Sequence, residues 1–191
     1  MSLPKENKKY TYADYLTWSD DEKCELIDGV PYLLSAPTWQ HQAVSGGLFR
    51  QLANYLQGKE CQAFTAPFDL RLSDAEKSDE ESNNVLQPDI TVICDRKKLA
   101  GTGYFGTPKL IVEITSPSTS RIDRVLKFNK YEVAGVQEYW IVDPIGKYVN
   151  VFTLQKNNRY GRPESYTDAE KIEVTVFPDL FIDLTTVFDY S

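Results

Sequence analysis

The chain has 191 residues, of which 41% are hydrophobic, 26% charged and 13% aromatic, and carries a formal net charge of −7. That length suits one domain with a sizeable core and is short for two, so a single domain over 1–191 is expected. No apolar run approaches the ~20 residues of a membrane span, and MSLPKENKKY lacks a signal peptide's apolar segment, so the expected setting is cytoplasmic, with no membrane partner. The acidic balance argues against a protein that coats nucleic acid nonspecifically, because such binding is driven by neutralising phosphates.

In chain order, Thr11 followed by Asp14 predicts a capping box at the start of a short helix, TYADYLTW. CELIDGVPYLLS reads as a hairpin turning at Asp28-Gly29, a pair suited to left-handed dihedrals. Thr38 is placed to cap a long helix to about Gln57, with Ala43, Leu48, Leu52 and Tyr55 as its apolar stripe; Gly46-Gly47 inside it marks a weakness or a close approach. CQAFTAPFDLRL and PDITVICD read as two strands. Between them SDAEKSDEESNN offers almost no apolar side chains to offset ordering entropy, which predicts that residues 74–84 are mobile and dispensable. GTGYFGTP is a glycine-rich loop without the spacing of a nucleotide phosphate cradle.

PKLIVEITSPST then supplies a β-rich run, Leu110, Ile111, Val112 and Ile114, interrupted by Glu113. An ionised, unpaired carboxylate in a core strand costs several kcal/mol, so Glu113 should sit at an edge or be held by a cation, a metal or donors. Thr119 or Ser120 can cap a helix over RIDRVLKFNKYEVA that Gly135 ends, and EYWIVDP gives another strand, completing a βαβ unit. The tail alternates strand-like runs with turns. The fold class expected is α/β, an α+β mixed sheet centred on residues 89–94, 110–115 and 138–143 with helices 38–57 and 121–134 packed on it. Cys24, Cys61 and Cys94 are odd in number and lack a CxxC pair, which suggests free, mostly buried thiols.

On the helix after the Glu113 strand, Asp123, Lys127 and Tyr131 follow at i, i+4 and i+8 and share a face, while Ile122, Val125, Leu126 and Val133 lie largely on another. Taken alone, Asp123 and Lys127 are a surface pair worth about 0.3–0.5 kcal/mol. Asp89, at the start of a strand able to pair with that of Glu113, adds a second carboxylate, and the two make a hard-oxygen site suited to Mg²⁺ or Mn²⁺. Residues 95–130 hold eight basic residues against three acidic ones, either a solvated face or a phosphate-binding one.

Pro88-Asp89, a spacer and Glu113-Ile114-Thr115 resemble the PD-(D/E)xK motif of restriction-endonuclease-like nucleases. ELIDG, VEITSPST, RxDRxxK and GVQEYWIVDP are similar to one family in that superfamily, the Uma-type proteins proposed to be nucleases, over about Tyr12 to Phe188. The resemblance implies a restriction-endonuclease-like core with extra antiparallel strands and a metal-dependent endonuclease acting on DNA. In it Asp89 and Glu113 would bind Mg²⁺ or Mn²⁺, and Lys127, on the helix, would take the lysine role that Thr115 cannot fill. Glu25 and His41 match early polar positions of the family and are candidates to complete the catalytic set, each set against a plain surface role. Arg121, Arg124 and Lys130 would contact nucleic acid, with Arg121 and Lys130 as spare lysine-role candidates. Asp123 and Tyr131 would support the site. Trp18, Trp39 and Trp140 read as core or interface anchors. A homodimer is one option for the assembly, and a degenerate nuclease fold kept as a binding or assembly module is the alternative function.

Overall fold

A computed structural model describes residues 8–18, 24–72, 78–116 and 121–190. In chain order they form α1 (Tyr12–Tyr15), β1 (Cys24–Ile27), β2 (Val30–Leu33), α2 (Trp39–Leu56), β3 (Gln62–Thr65), β4 (Asp69–Arg71), β5 (Val85–Leu86) and β6 (Ile90–Ile93). There follow β7 (Leu99–Ala100), β8 (Gly103–Phe105), β9 (Leu110–Ile114), a π-helix (Ile122–Lys127) that runs into α3 (Phe128–Ala134), and β10 (Glu138–Asp143). The chain continues through β11 (Tyr148–Thr153), β12 (Glu164–Thr167), β13 (Lys171–Glu173), β14 (Phe181–Asp183) and α4 (Leu184–Val187).

The local signals work as expected at several ends. Thr11 and Asp14 form the reciprocal capping box. Asp28 and Gly29 both take positive φ, 52° and 73°, which lets β1 and β2 pair from Cys24↔Leu33 to Ile27↔Val30 across a tight turn. Thr38 caps α2 by accepting from the His41 N–H, and Gly135 closes α3 in the left-handed region. The stripe of α2 is shifted from the expected one: Val44, Leu48, Leu52 and Leu56 are buried, whereas Ala43 is exposed. Gly47 is a close approach, since a Cβ there would lie 3.2 Å from Val187 Cα of α4.

The central sheet is six-stranded, in the order β12-β11-β10-β9-β6-β3, and only β9 and β10 run parallel. That parallel pair, with the π-helix and α3 between its strands, is the predicted βαβ unit. Period-2 alternation sends Leu110, Val112 and Ile114 into the core beneath α2, and Ile111 into a second core with Tyr131, Tyr139 and Ile141. Glu113 therefore faces the second core. Each fully buried Val, Leu or Ile stabilises the fold by about 1.5–3 kcal/mol.

A second six-stranded sheet, β2-β1-β5-β4-β8-β7, was not legible in the sequence. CQAFTAPFDLRL is not one strand: it breaks at the cis Ala66-Pro67 bond, giving β3 to the central sheet and β4 to the second. The glycine-rich loop contains β8, where Gly103 runs so close to Asp69 that a Cβ would collide with its carbonyl. Of the acidic stretch, 74–77 lie outside the described residues, but 78–84 contradict the expected mobility. The Asp79 carboxylate accepts from Arg71 Nε and Nη2 at 2.7 and 2.9 Å, and the carbonyls of Glu80, Ser82 and Asn83 accept from the N–H groups of Ala13, Tyr12 and Gly29. Backbone and ion-pair bonds, which composition does not register, order this segment. The cysteines also depart from expectation: Cys61 and Cys94 form a disulfide, because they flank the Gln62↔Ile93 pair and stand opposite one another. Cys24 is a buried thiol.

Candidate active site

The two sheets meet at Lys127. Its side chain is buried, and Nζ lies 2.8 Å from Glu25 Oε1, 3.0 Å from Glu113 Oε1 and 3.6 Å from Asp123 Oδ1. Glu25 comes from β1 of the second sheet and Glu113 from β9 of the central sheet, so one ammonium bridges carboxylates of both. The π-helix sets this register: the Phe128 N–H reaches back five residues to the Asp123 carbonyl, and Asp123 and Lys127 are buried in it. Residues 117–120, with the predicted caps Thr119 and Ser120, lie outside the described residues.

The charged face of this helical segment is the buried one. Val125 and Val133, expected on a packed apolar face, are exposed, Val133 at 84%. Asp123 and Lys127 are thus not an exposed surface pair but part of a buried cluster. Burial would lower the Lys127 pKa, but Glu113, Glu25 and Asp123 outweigh it and hold the ammonium well above its usual value. Burial pushes the Glu113 carboxyl up, Lys127 opposes it, and Asp123, Glu25 and Asp89 add to the rise. Tyr131, itself buried, donates its hydroxyl to Glu113 Oε1 at 2.7 Å, and burial beside that carboxylate keeps it a phenol.

Asp89 is adjacent to this cluster. Ile90 pairs with Val112, which puts position 89 opposite Glu113 in the antiparallel β6–β9 register. Asp89 Oδ2 accepts the Ile114 N–H at 2.7 Å, and Oδ1 lies 3.1 Å from His41 Nε2 in the first turn of α2. Burial would lower His41, yet the hydrogen bond and charge of Asp89 prevail and raise it. His41 Nδ1 is buried and has no hydrogen-bond partner among the described residues. Thr115, in the lysine position of the motif, donates its hydroxyl to the Val142 carbonyl and cannot supply charge.

The structure thus brings together Glu25, His41, Asp89, Glu113, Asp123, Lys127 and Tyr131. It does not bring in Lys130, which pairs with Asp28 at the hairpin turn, and Arg121 is exposed at the start of the helical segment. Arg124 donates to the Tyr148 hydroxyl at 3.3 Å. Sequence reasoning missed Gln87, whose N–H donates to Glu25 Oε1 at 2.7 Å while its side-chain amide donates to Tyr15 and Asp69. Its position just before Pro88-Asp89 was the available signal. Also missed was Glu138, buried in β10, which accepts from Trp140 Nε1 and the Val176 N–H and ties down the segment after β13.

Among the described residues no group of three or more His, Cys, Asp or Glu is arranged to hold a metal ion. A closed zinc-type cage is therefore not built here. The Asp89 and Glu113 pair fits a different kind of ion, since Mg²⁺ is held by one or two carboxylates and completed by water and substrate phosphate. The donor set is acidic: Glu25, Glu113 and Asp123 surround the Lys127 ammonium, and Asp89 pairs with His41.

Comparison with known proteins identifies a family and a fold. The family model "Uma2: Putative restriction endonuclease" matches residues 12–185. The uncharacterized protein slr1290 of Synechocystis sp. is 27% identical over 147 residues, 75% of this chain and 74% of that protein. The crystal structure of a "putative nuclease belonging to DUF820" from Anabaena variabilis ATCC 29413 superposes with a TM-score of 0.73 at 18% identity, over 93% of this chain and 97% of that one. No helix among the described residues is long and apolar enough to cross a membrane.

Proposed function

The chain belongs to the Uma2 family of restriction-endonuclease-like proteins, and from that premise we propose that it is a metal-dependent endonuclease hydrolysing DNA phosphodiester bonds. The observation that carries the reading is the buried Lys127 ammonium beside Glu113, with Asp89 in register opposite that carboxylate. Asp89 and Glu113 would hold Mg²⁺ or Mn²⁺, which when bound polarises a phosphodiester and lowers the pKa of coordinated water. Lys127 faces the negative charge that grows on the phosphoryl oxygens, and in this water-poor setting one such cation contributes several kcal/mol. Glu25 and Asp123 position the ammonium, Tyr131 fixes the Glu113 carboxylate, and His41 orients Asp89. Arg121 is exposed and Arg124 is half-buried beside Tyr148, and from these positions they would meet flanking phosphates. Lys130, engaged with Asp28, has a lesser part.

One observation favours a second reading, a binding or assembly module: three carboxylates already occupy Lys127, and Thr115 is committed to Val142. The test is nicking and strand digestion with Mg²⁺ or Mn²⁺. Wild type should cleave, Asp89→Asn should not, and Lys127→Ala should lose ~10²-fold or more, judged per folded molecule. Wild-type activity no higher than that of Asp89→Asn on every nucleic acid tried would make the module the better reading.

A further inference from the structure

Trp39, the first residue of α2, is 63% exposed. An indole ring that buries 150–250 Å² when packed is here left open to water, although its position is fixed. Tyr190 meets it edge-on, with centroids 5.7 Å apart and planes at 88°. Tyr190 is in turn held by its hydroxyl, which donates to the Pro144 carbonyl, and Lys147 Nζ lies 5.2 Å from the Tyr190 ring centroid. Next along the chain, Tyr148 accepts from Arg124. Cations and rings alternate over the end of β10.

This aromatic ledge lies on the α2 face of the central sheet and meets the site at its Asp89 edge. His41, two residues after Trp39, touches Asp89 at the start of β6, and Pro144 follows the end of β10. β9 separates β6 from β10, and Asp89 stands level with Glu113 and Ile141, three residues short of Pro144, so the two positions are about 10 Å apart across the strands and about 10 Å apart along them. Stacking on an exposed, braced indole requires a base whose face is free. Intact duplex hides those faces, whereas a single strand presents them, and each stacked base contributes substantially and without sequence preference. Lys147 and Arg124 are the cations available there to the accompanying phosphates, although Asp143 and Asp168 also act on Tyr190 and the chain is acidic overall.

We propose that Trp39, braced by Tyr190 and flanked by Lys147, is a stacking platform for an unpaired nucleobase, which makes single-stranded nucleic acid the substrate class of the adjoining site. The substrate claim rests on the nuclease reading above; the binding claim does not. The test is fluorescence anisotropy at low salt in EDTA, where metal-dependent cleavage is off. The probes are a short labelled oligothymidylate, an oligouridylate, an abasic strand of equal length and a fully paired duplex. Wild type should bind the two base-bearing single strands best, and their ratio distinguishes DNA from RNA. Trp39→Ala should weaken that binding about tenfold or more while leaving the abasic strand and duplex unchanged, and Trp39→Phe should retain most of it. Lys147→Ala should weaken all strands and reduce the salt slope by about one. Because Trp39 is exposed, its variants should melt with wild type. Equal affinity of Trp39→Ala and wild type for oligothymidylate, equal losses on the abasic strand, or no wild-type preference for base-bearing strands would overturn the platform. Asp89→Asn separates the two claims: if no protein cleaves but binding still depends on Trp39, the nuclease reading falls and the platform stands. If cleavage depends on Asp89 but single-strand binding ignores Trp39, the reverse holds.

Discussion

Lys127 has a structural duty as well as its proposed chemical one. With its ammonium gone, Glu25, Glu113 and Asp123 would be left as buried like charges with no cation among them. Breaking a buried ion cluster from one side destabilises by about 3–5 kcal/mol, far more than the few tenths expected of a surface pair at i, i+4. Lys127→Ala should therefore lower the urea midpoint markedly and the melting temperature by roughly 6–20 °C. The double variant Lys127→Met/Glu113→Gln, which removes one charge of each sign, should recover part of that loss. A Lys127→Ala midpoint equal to wild type would mean that water reaches the cluster freely. Added Mg²⁺ should stabilise Lys127→Ala more than wild type, because the divalent ion then meets no competing ammonium at Glu113.

At the scale of elements, the stretch after β4 shows where composition misleads. Asp79 is the bidentate partner of Arg71, whose guanidinium is almost wholly buried and also lies 4.4 Å from the Tyr12 ring centroid. Asp79→Ala takes the carboxylate from that guanidinium, leaving it the Asp69 and Ala100 carbonyls, and should cost about 1.5–3 kcal/mol, read as a lower urea midpoint; a change under a few tenths would mean Arg71 finds water instead. The elements legible in the sequence were those whose signals are local: the capping box at Thr11, the Asp28-Gly29 turn, the Thr38 cap, and β9 with β10 around their helix. The pairing of Asp89 with Glu113 was legible in the strand pattern, whereas Lys127, Glu25 and His41 were singled out through family likeness. The second sheet was not, because β4, β5, β7 and β8 are two or three residues long and hold together by pairing between distant segments. The buried charged face of the π-helix was equally hidden, since a 3.6-residue period counts Val125 and Val133 as core.

For the molecule as a whole, the Cys61–Cys94 bond closes a loop, with a sequence separation of 33, that holds β4, β5 and Asp89. Chain-entropy arguments give about 3–4 kcal/mol for a loop of that size. Reduction by dithiothreitol should lower the melting temperature by roughly 6–16 °C, and Cys61→Ser/Cys94→Ser should reproduce the drop; no change on reduction would mean that the β3–β6 pair is sufficient by itself. The same global layout makes the site spectroscopically legible. Two main-chain amides, one in each half of the fold, are tied to site carboxylates: Gln87 to Glu25 and Ile114 to Asp89. Their proton and nitrogen resonances are thus built-in reporters, so that an event confined to the Asp89 side moves Ile114 alone, while one that draws Glu25 from Lys127 moves Gln87 as well.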